Sequence, residues 1–419
     1  MKGAAVSDVL QLDVGNVASG GGCVARAPDG RVVFVRHSLP GERVSARITA
    51  TTSSFLRADA VEILRPSPDR VTPPCPHAGP GRCGGCDFQH VRLEAQRQLK
   101  AALVSEQLTR VAGVERTVQV EAVPGDDSGL GWRTRVRLAV GDDGQVGFRR
   151  HRSHDLELVD SCPIASPLVM DTGAFSGRWL GTEEIEVAVA PDTGDALTIA
   201  ITDRRAKPQF PVIHGGLVVR GRVRKQPGSL CTTVSGSEFR ISPGVFWQVH
   251  LGAPEVLADA VRVALGAKPG DHVVDLYAGA GLFAILLALD VGADGSVLAV
   301  ERDRRACADA EHNARDLPQL RVKRASITPA LIEKGIGRPD LLVLDPAREG
   351  AGRAIMTALA ARSSTLRALV YVSCDASSFA RDAGTLLMAG WDLASLRAFD
   401  IFPMTEHVEL VAQFTPPSR

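Results

Sequence analysis

A cysteine and a glutamate near the C-terminus have the chemistry of a nucleophile and a base. Cys374 follows the apolar run 369–372, and Glu409 ends the segment 405–409. Active-site residues of α/β folds lie at the carboxyl ends of strands, where a thiolate can add to an electrophilic carbon. A free cysteine is often a small buried hydrophobe, but the polar neighbours Ser373 and Asp375 favour a functional role. We therefore predict Cys374 as a nucleophile and Glu409 as its partner base.

A glycine turn farther upstream predicts a nucleotide-cofactor site. Gly279 and Gly281 stand between the β-type segment 272–276 and the apolar helical segment 282–289. The next predicted strand ends at Glu301, whose carboxylate can accept both hydroxyls of a ribose. The turn lacks the third glycine of the dinucleotide fingerprint, and Asp345 ends another strand. This pattern favours S-adenosylmethionine over NAD.

The predicted nucleophile Cys374 limits which kinds of methylation such a cofactor pocket could support. C5 of a uracil ring is a poor nucleophile, but addition of sulfur at C6 converts the ring into an enolate whose C5 can attack a sulfonium methyl group. A base must then remove the C5 proton before the thiolate can leave. Methylation at nitrogen or oxygen needs no such cysteine. Cys374 and Glu409 beside this pocket therefore favour methylation of a pyrimidine at carbon 5.

A second group of cysteines predicts a metal site. Cys75, Cys83 and Cys86 lie within twelve residues, and Cys162 follows later. We expect the chain to be cytoplasmic, because residues 1–13 lack a signal peptide's unbroken apolar run and no segment reaches the length of a membrane span. Disulfides are rare in that compartment, so metal binding explains the cysteines better. Four thiolates suit either Zn²⁺ or an iron–sulfur cluster, and the spacing does not choose between them.

The pattern along the chain predicts three parts. Short strands with Gly and Pro turns indicate a small β-barrel over residues 1–66. Residues 67–240 hold the cysteines, a helix at about 93–111 that we expect to pack on the last part, and β-rich patterns. Residues 241–419 alternate helices with apolar strands, which indicates a parallel α/β sheet. The 48 basic and 48 acidic residues balance, but residues 133–152 and 204–225 are locally basic and could contact phosphates.

These motifs together resemble those of the RNA (uracil-5-)-methyltransferases, and the resemblance covers nearly the whole chain. The matching segments, in chain order, are 33–35, 39–42, 67–70, 83–90, 132–137, 242–250, 345–350, 373–375 with 380–382, and 402–409. The resemblance implies a Rossmann-like class I methyltransferase domain, an N-terminal OB-like TRAM barrel that binds RNA, and a β-rich central domain.

The resemblance also implies roles for individual residues. It makes Cys374 the nucleophile and Glu409 the base that takes the C5 proton. It places Gln248, Tyr277, Gly279, Glu301 and Asp345 at the S-adenosylmethionine site. It implies a [4Fe-4S] cluster on Cys75, Cys83, Cys86 and Cys162, with zinc as the second candidate. The partner is an RNA, either tRNA or rRNA, from which the target uridine is flipped. We predict no membrane association and no obligate protein partner.

Two other interpretations stay open at this point. Ala347, Asp375, Ala376, His250 and Leu282 depart from the family's pattern, which would fit a catalytically weak RNA-binding iron–sulfur protein that keeps the fold. An amino-group methyltransferase could use residues 345–348 as its active strand end, although it would leave Cys374 without a role.

Overall fold

The computed structural model describes residues 6–125, 127–203 and 205–417, beginning with a curled five-stranded sheet. Its strands are β1 Val9–Asp13, β2 Cys23–Arg26, β3 Val32–Arg36, β4 Arg43–Thr51 and β5 Phe55–Arg65. The strand order is β1-β4-β5-β3-β2, and the outer strands β1 and β2 approach each other. Alternate residues of β3, Val33 and Val35, are fully buried inside the curl. This half-barrel confirms the predicted β-unit at the N-terminus.

An irregular segment carries three of the cysteines and leads into a helix. The helix is α1 Leu93–Gln107, which continues as a π-helical turn over Leu108–Ala112 and is followed by the short strand β6 Val120–Glu121. Along α1 the buried side chains include Gln96, Lys100 and Val104, which recur every four residues on one face. That face packs on the C-terminal part of the chain, as we expected for the helix near residues 93–111.

The central part is a seven-stranded sheet with a small hairpin. Its elements are β7 Arg135–Val140, β8 Val146–Arg149, β9 Leu156–Leu158, α2 Pro167–Asp171, β10 Glu184–Ala190, β11 Asp195–Ile201, β12 Gly216–Val219 and β13 Arg222–Lys225. The order is β13-β12-β11-β10-β7-β8-β9, antiparallel except for the pair β11–β12. The strands β14 Leu230–Val234 and β15 Ser237–Ile241 form the hairpin. The β-rich character predicted for this region is confirmed.

The C-terminal part is an α/β domain. Its elements are α3 Ala253–Leu265, β16 His272–Leu276, α4 Leu282–Val291, β17 Ser296–Glu301, α5 Arg304–Asn313, β18 Leu320–Arg324, α6 Pro329–Lys334, β19 Leu341–Leu344, α7 Arg353–Ala360, β20 Ala368–Ser373, α8 Ala376–Met388, β21 Asp392–Phe399 and β22 Glu409–Thr415. The strands β18, β17, β16, β19 and β20 are parallel, as predicted for this sheet. The inner strands β16, β19 and β20 are buried as short apolar runs, whereas the edge strand β18 is only partly buried.

The end of this sheet differs from the purely parallel arrangement that the sequence pattern indicated. Strand β22 inserts between β20 and β21 and runs antiparallel to both. The loop 400–408 joins β21 to β22 with no helix between them, so the second strand must return in the opposite direction. Strand β6 pairs with β21 at the sheet edge, so a strand from before the central sheet completes the C-terminal one. The domain bounds at 66/67 and 240/241 stay predictions.

In the described part of the chain, none of the helices combines the length and apolar character that crossing a membrane would require.

Candidate active site

The sheet register brings the predicted nucleophile and base together. Ser373, the last residue of β20, pairs with Leu410 of the antiparallel strand β22. Cys374 directly follows β20 and Glu409 directly precedes Leu410, so the register brings the two residues close together, and the Glu409 charge acts on the Cys374 thiol. Asp375 then begins α8, and its Oδ1 accepts a hydrogen bond from the backbone N–H of Ser378 at 2.7 Å. This cap fixes the point where the chain turns away from the site.

Burial and crowded carboxylates control the protonation of this pair. Burial, followed by the charges of Glu409 and Asp345, raises the pKa of the Cys374 thiol to about 12. Burial and Asp345 also raise the pKa of Glu409, which is only 3% exposed. The Arg348 guanidinium acts in the opposite direction and lowers the pKa of both groups. The net effect is a raised pKa for both groups, which favours their protonated forms.

The glycine turn and Glu301 form one connected structure at the carboxyl end of β16 and β17. The Glu301 Oε2 atom accepts a hydrogen bond from Gly279 N at 3.0 Å, and Oε1 accepts bonds from the N–H groups of Arg302 and Asp303. Gly281 precedes α4 with φ of 96°, a conformation that side chains oppose. Tyr277 also has a positive φ, of 66°. The strand, turn, helix, strand and acid of the prediction thus occur in the expected order.

Asp345 connects the glycine turn electrostatically to the catalytic pair. It directly follows β19, and its charge raises the pKa of Asp275, Cys374 and Glu409. Its own pKa is raised to about 7 by burial. Gln248 is buried in the segment that follows the β14–β15 hairpin. The roles of Gln248, Tyr277, Gly279, Glu301 and Asp345 toward a cofactor stay predictions.

Two polar groups at these strand ends had no assigned role in the sequence analysis. Asp275 is fully buried at the end of β16, and its Oδ2 accepts a hydrogen bond from Ala284 N at 3.0 Å. Its Oδ1 has no hydrogen-bond partner among the described residues. Arg348, in the loop after β19, is the cation that acts on both catalytic groups. In the sequence, the feature that could have indicated a role for Asp275 and Arg348 was their position at or just after the carboxyl end of an apolar strand.

The four cysteines of the predicted metal site line one cavity of about 320 Å³. All four are free of disulfides, and burial raises the pKa of Cys83 to about 11 and that of Cys86 to about 12. Within residues 6–125, 127–203 and 205–417, no set of three or more His, Cys, Asp or Glu side chains is arranged to hold a single metal ion. The cavity's basic lining residues are Arg133, Arg137, Arg149, Arg150, His151 and Arg152.

The two histidines near the cysteines have structural contacts. His77 Nδ1 lies 3.0 Å from Glu157 Oε1, beside the cavity. His90 lies in a turn. Its side chain is buried, with Nε2 3.4 Å from Ser38 O, because the half-barrel packs over it.

Arginines of the first basic stretch, residues 133–152, form ion pairs within the protein, whereas the second stretch, residues 204–225, is more exposed. Arg135 and Arg137 contact Glu186, and Arg150 contacts Glu157. In the second stretch, all four residues of β13 are exposed. Arg204, which belongs to that stretch, lies outside the described residues. The exposed basic side chains of β13 are therefore available for contact with phosphates.

Comparison with known proteins places this chain among RNA-modifying enzymes. The TRAM domain model matches residues 5–61. An uncharacterized RNA methyltransferase of Streptomyces avermitilis is 41% identical over 99% of this chain and 100% of the relative. The 23S rRNA (uracil(1939)-C(5))-methyltransferase RlmD of Alkalilimnicola ehrlichii is 32% identical, covering 92% of each chain.

A solved structure agrees in fold over nearly the same extent. The tRNA (uracil-54, C5)-methyltransferase of Pyrococcus abyssi, in complex with S-adenosyl-L-homocysteine, superimposes with a TM-score of 0.73 at 21% identity. That match covers 97% of this chain and 99% of the other. The sequence relatives, the TRAM match and the shared fold agree with the motifs identified above. The chain is an RNA methyltransferase and belongs to the RNA (uracil-5-)-methyltransferase family.

Proposed function

We propose that this enzyme methylates C5 of a uracil in RNA with S-adenosylmethionine as methyl donor. The observation that carries the proposal is the pairing of Ser373 with Leu410, which places Cys374 opposite Glu409. The charge of Asp345 raises the pKa of Cys374 in this pair and also that of Asp275, just before the glycine turn. A thiol, a base and a nucleotide-type pocket at one sheet edge are the groups that carbon-5 methylation requires.

The proposed reaction uses Cys374 and Glu409 in sequence. The Cys374 thiol first gives its proton to solvent water, and its sulfur then forms a bond to C6 of the uracil while the ring electrons move toward C5 and O4. S-Adenosylmethionine, when bound, supplies the methyl group that C5 takes from its sulfonium sulfur. Glu409 then accepts the C5 proton, the C5–C6 double bond re-forms, and the bond from C6 to Cys374 breaks with the electron pair returning to sulfur. Arg348 stabilises the anionic form of both residues.

The proposed cofactor site consists of residues at neighbouring strand ends. Glu301 would accept the ribose hydroxyls, and the turn at Gly279 would let the backbone approach the ligand. Tyr277, Gln248 and Asp345 would complete the pocket, as the family resemblance implies. The N-terminus of α4, where the Ala284 N–H donates to Asp275, begins directly after this turn.

We further propose that Cys75, Cys83, Cys86 and Cys162 hold a [4Fe-4S] cluster, with Zn²⁺ as the second candidate. The four thiols line one cavity, and its arginines would offset the negative charge of a thiolate-bound cluster. These residues would connect the irregular segment 75–86 to the loop that carries Cys162. A brown anaerobic preparation containing iron would support the cluster, whereas a colourless protein containing zinc would contradict it.

The proposed substrate is a structured RNA, with rRNA and tRNA as the two candidates. The Alkalilimnicola ehrlichii relative is named for 23S rRNA and the Pyrococcus abyssi structure for tRNA. Mass spectrometry of nucleosides from purified rRNA and tRNA of a strain lacking the gene would distinguish them. Loss of 5-methyluridine from one pool would identify the substrate class. If neither pool loses 5-methyluridine, the next test is methylation of unmodified transcripts by the purified enzyme. We propose a cytoplasmic location, where both RNAs occur.

Two catalytic variants test the chemistry directly. Cys374→Ala should abolish both methylation and covalent attachment of RNA, because no sulfur can add to C6. Glu409→Gln should leave RNA attached to the protein, because the C5 proton stays in place. Cys231→Ala, at an exposed cysteine, is the matched control and should behave as the wild type. Methylation by Cys374→Ala would overturn the mechanism. A product methylated at nitrogen would favour the amino-group alternative, and cofactor binding without any transfer would favour the catalytically weak one.

A further inference from the structure

The loop that leads to Glu409 contains a residue in an unfavourable backbone conformation. Met404 has φ of 66°, in the left-handed region that non-glycine residues rarely adopt. Such residues persist where the surrounding structure holds them on several sides, and they concentrate at functional sites. Met404 is 5% exposed and packs in a small apolar cluster with Trp132 and Ile164. The loop 400–408 is therefore held in one particular shape.

Both backbone polar groups of Met404 are bound by a distant part of the chain. The carbonyl oxygen accepts hydrogen bonds from the N–H groups of Asp87 and Phe88, each at 2.9 Å. The Met404 N–H donates to Oε1 of Gln96 at 2.8 Å. The segment after Cys86 and the first turn of α1 thus bind the two backbone polar groups of one residue, Met404. These contacts offset the cost of the left-handed conformation.

Gln96 also fixes the segment that binds the Met404 carbonyl. Its Nε2 donates to the carbonyl oxygens of Phe88 at 3.2 Å and Val91 at 2.8 Å. Gln96 is fully buried, and Phe88 and Val91 belong to the large apolar core. One carboxamide therefore connects the core, the segment after Cys86 and the loop before the base. An apolar side chain at position 96 would leave buried backbone groups without partners.

We propose that Gln96 is a positioning residue for methyl transfer, acting on Glu409 through Met404. The inference rests on the proposed function, because it assigns Glu409 the removal of the C5 proton. Only four residues separate Met404 from Glu409, whereas Cys374 lies between β20 and α8, and within the described residues no hydrogen bond joins it to Gln96. Loss of the Gln96 contacts should therefore disturb the base more than the nucleophile.

This asymmetry predicts a kinetic signature that general destabilisation would not produce. In Gln96→Met, sulfur addition at C6 should continue, while removal of the C5 proton should slow by about tenfold to a hundredfold because the carboxylate is misplaced. Covalently attached RNA should then accumulate during turnover. A variant that only unfolds would lose attachment and methylation in equal proportion. Gln98→Met, at an exposed position of the same helix, is the control.

The experiment uses the full-length protein with unmodified RNA and S-adenosylmethionine. Attached RNA is measured on denaturing gels and 5-methyluridine by mass spectrometry in single-turnover time courses. We expect a higher attached fraction and slower product release for Gln96→Met, and wild-type values for Gln98→Met. An attached fraction no higher than that of the wild type, at any rate of product formation, would overturn the inference.

A conservative variant separates positioning from folding. In Gln96→Glu, the neutral carboxylic acid can accept from Met404 N and still donate one hydrogen bond, so it should recover much of the product-release rate that Gln96→Met loses. Equal defects in the two variants, with thermal midpoints lowered in parallel, would indicate a folding role and reject the positioning role. A wild-type protein that forms no 5-methyluridine would instead overturn the proposed function, on which this role depends.

Discussion

The catalytic pair and the cysteine cavity are both buried groups of ionisable side chains, but they are positioned in different ways. Cys374, Glu409 and Asp345 all lie at ends of strands in one sheet, so backbone register sets their separation. Cys75, Cys83, Cys86 and Cys162 lie in irregular segments, and their positions depend on loop packing. Strand pairing therefore brings the first site together, whereas the proposed metal or cluster would join the side chains of the second.

The two regions also differ in the number of arginine side chains near their acidic groups and in the effect of those arginines. In the catalytic site, the single guanidinium of Arg348 favours the charged form of two acidic groups. In the cysteine cavity, several arginines line the same space as Cys83 and Cys86, whose pKa values are raised by burial. In the functions proposed above, the first site would move protons, whereas the cavity would hold a fixed anionic group. Three predictions test the comparison.

The largest effect should follow removal of the catalytic cation. Arg348→Met should lower the rate of methyl transfer by about a hundredfold, because a group that stabilises developing anions is lost. Single-turnover formation of 5-methyluridine at fixed pH is the measurement. Arg353→Met, an exposed arginine at the start of α7, is the control and should leave the rate unchanged. Equal rates for Arg348→Met and the wild type would show that the pair needs no such cation.

A smaller effect, taken per pH unit, should appear in the pH dependence of the rate. Burial raises the pKa of the Cys374 thiol to about 12, so between about pH 6 and 9 the thiolate fraction rises about tenfold per pH unit. The raised pKa of Glu409 acts in the same direction, because only its ionised form can accept the C5 proton. We expect kcat/KM for RNA to increase with pH over this window. A plateau already present below pH 8, with the protein folded throughout by circular dichroism, would contradict the raised thiol pKa.

The smallest effect on methyl transfer should come from the cysteine cavity. Cys86→Ser should remove most of the bound metal, measured by elemental analysis, and lower the thermal midpoint. The rate per folded molecule should fall by less than about tenfold, or about 1.4 kcal/mol, because Phe88 and Val91 anchor the Met404 loop from the apolar core. Cys231→Ser should retain both the metal and the rate. A loss as large as that of Arg348→Met would mean that the cavity contributes to the chemistry itself.

Local patterns in the sequence were sufficient for much of this fold. The half-barrel, the helix near residues 93–111 and the parallel strands β16, β17, β19 and β20 were all predicted, because strand and helix periodicities are properties of short segments. The glycine turn before α4 was predictable for the same reason. The family was identified from motifs whose chemistry depends on residue type, such as the cysteine and the glutamate at strand ends.

Contacts between distant segments were not predictable from such patterns. The insertion of antiparallel β22 between β20 and β21, and the addition of β6 to the same sheet, depend on which strand edges are free after the domain packs. Asp275 and Arg348 acquired roles because folding placed them near Asp345 and the catalytic pair. Position 96 resembles an ordinary polar helix residue in sequence, yet it is fully buried.

The sequence by itself thus determined which groups are available: a thiol, a carboxylate base, a glycine turn with a following acid, and four further cysteines. The tertiary structure decided that Cys374 and Glu409 lie close together, that burial and neighbouring carboxylates raise the pKa of both, and that Gln96 binds Met404 across 308 positions of the chain. Residue types are set by the chain, but separations and pKa values depend on packing and burial, which arise only when segments far apart in sequence come together.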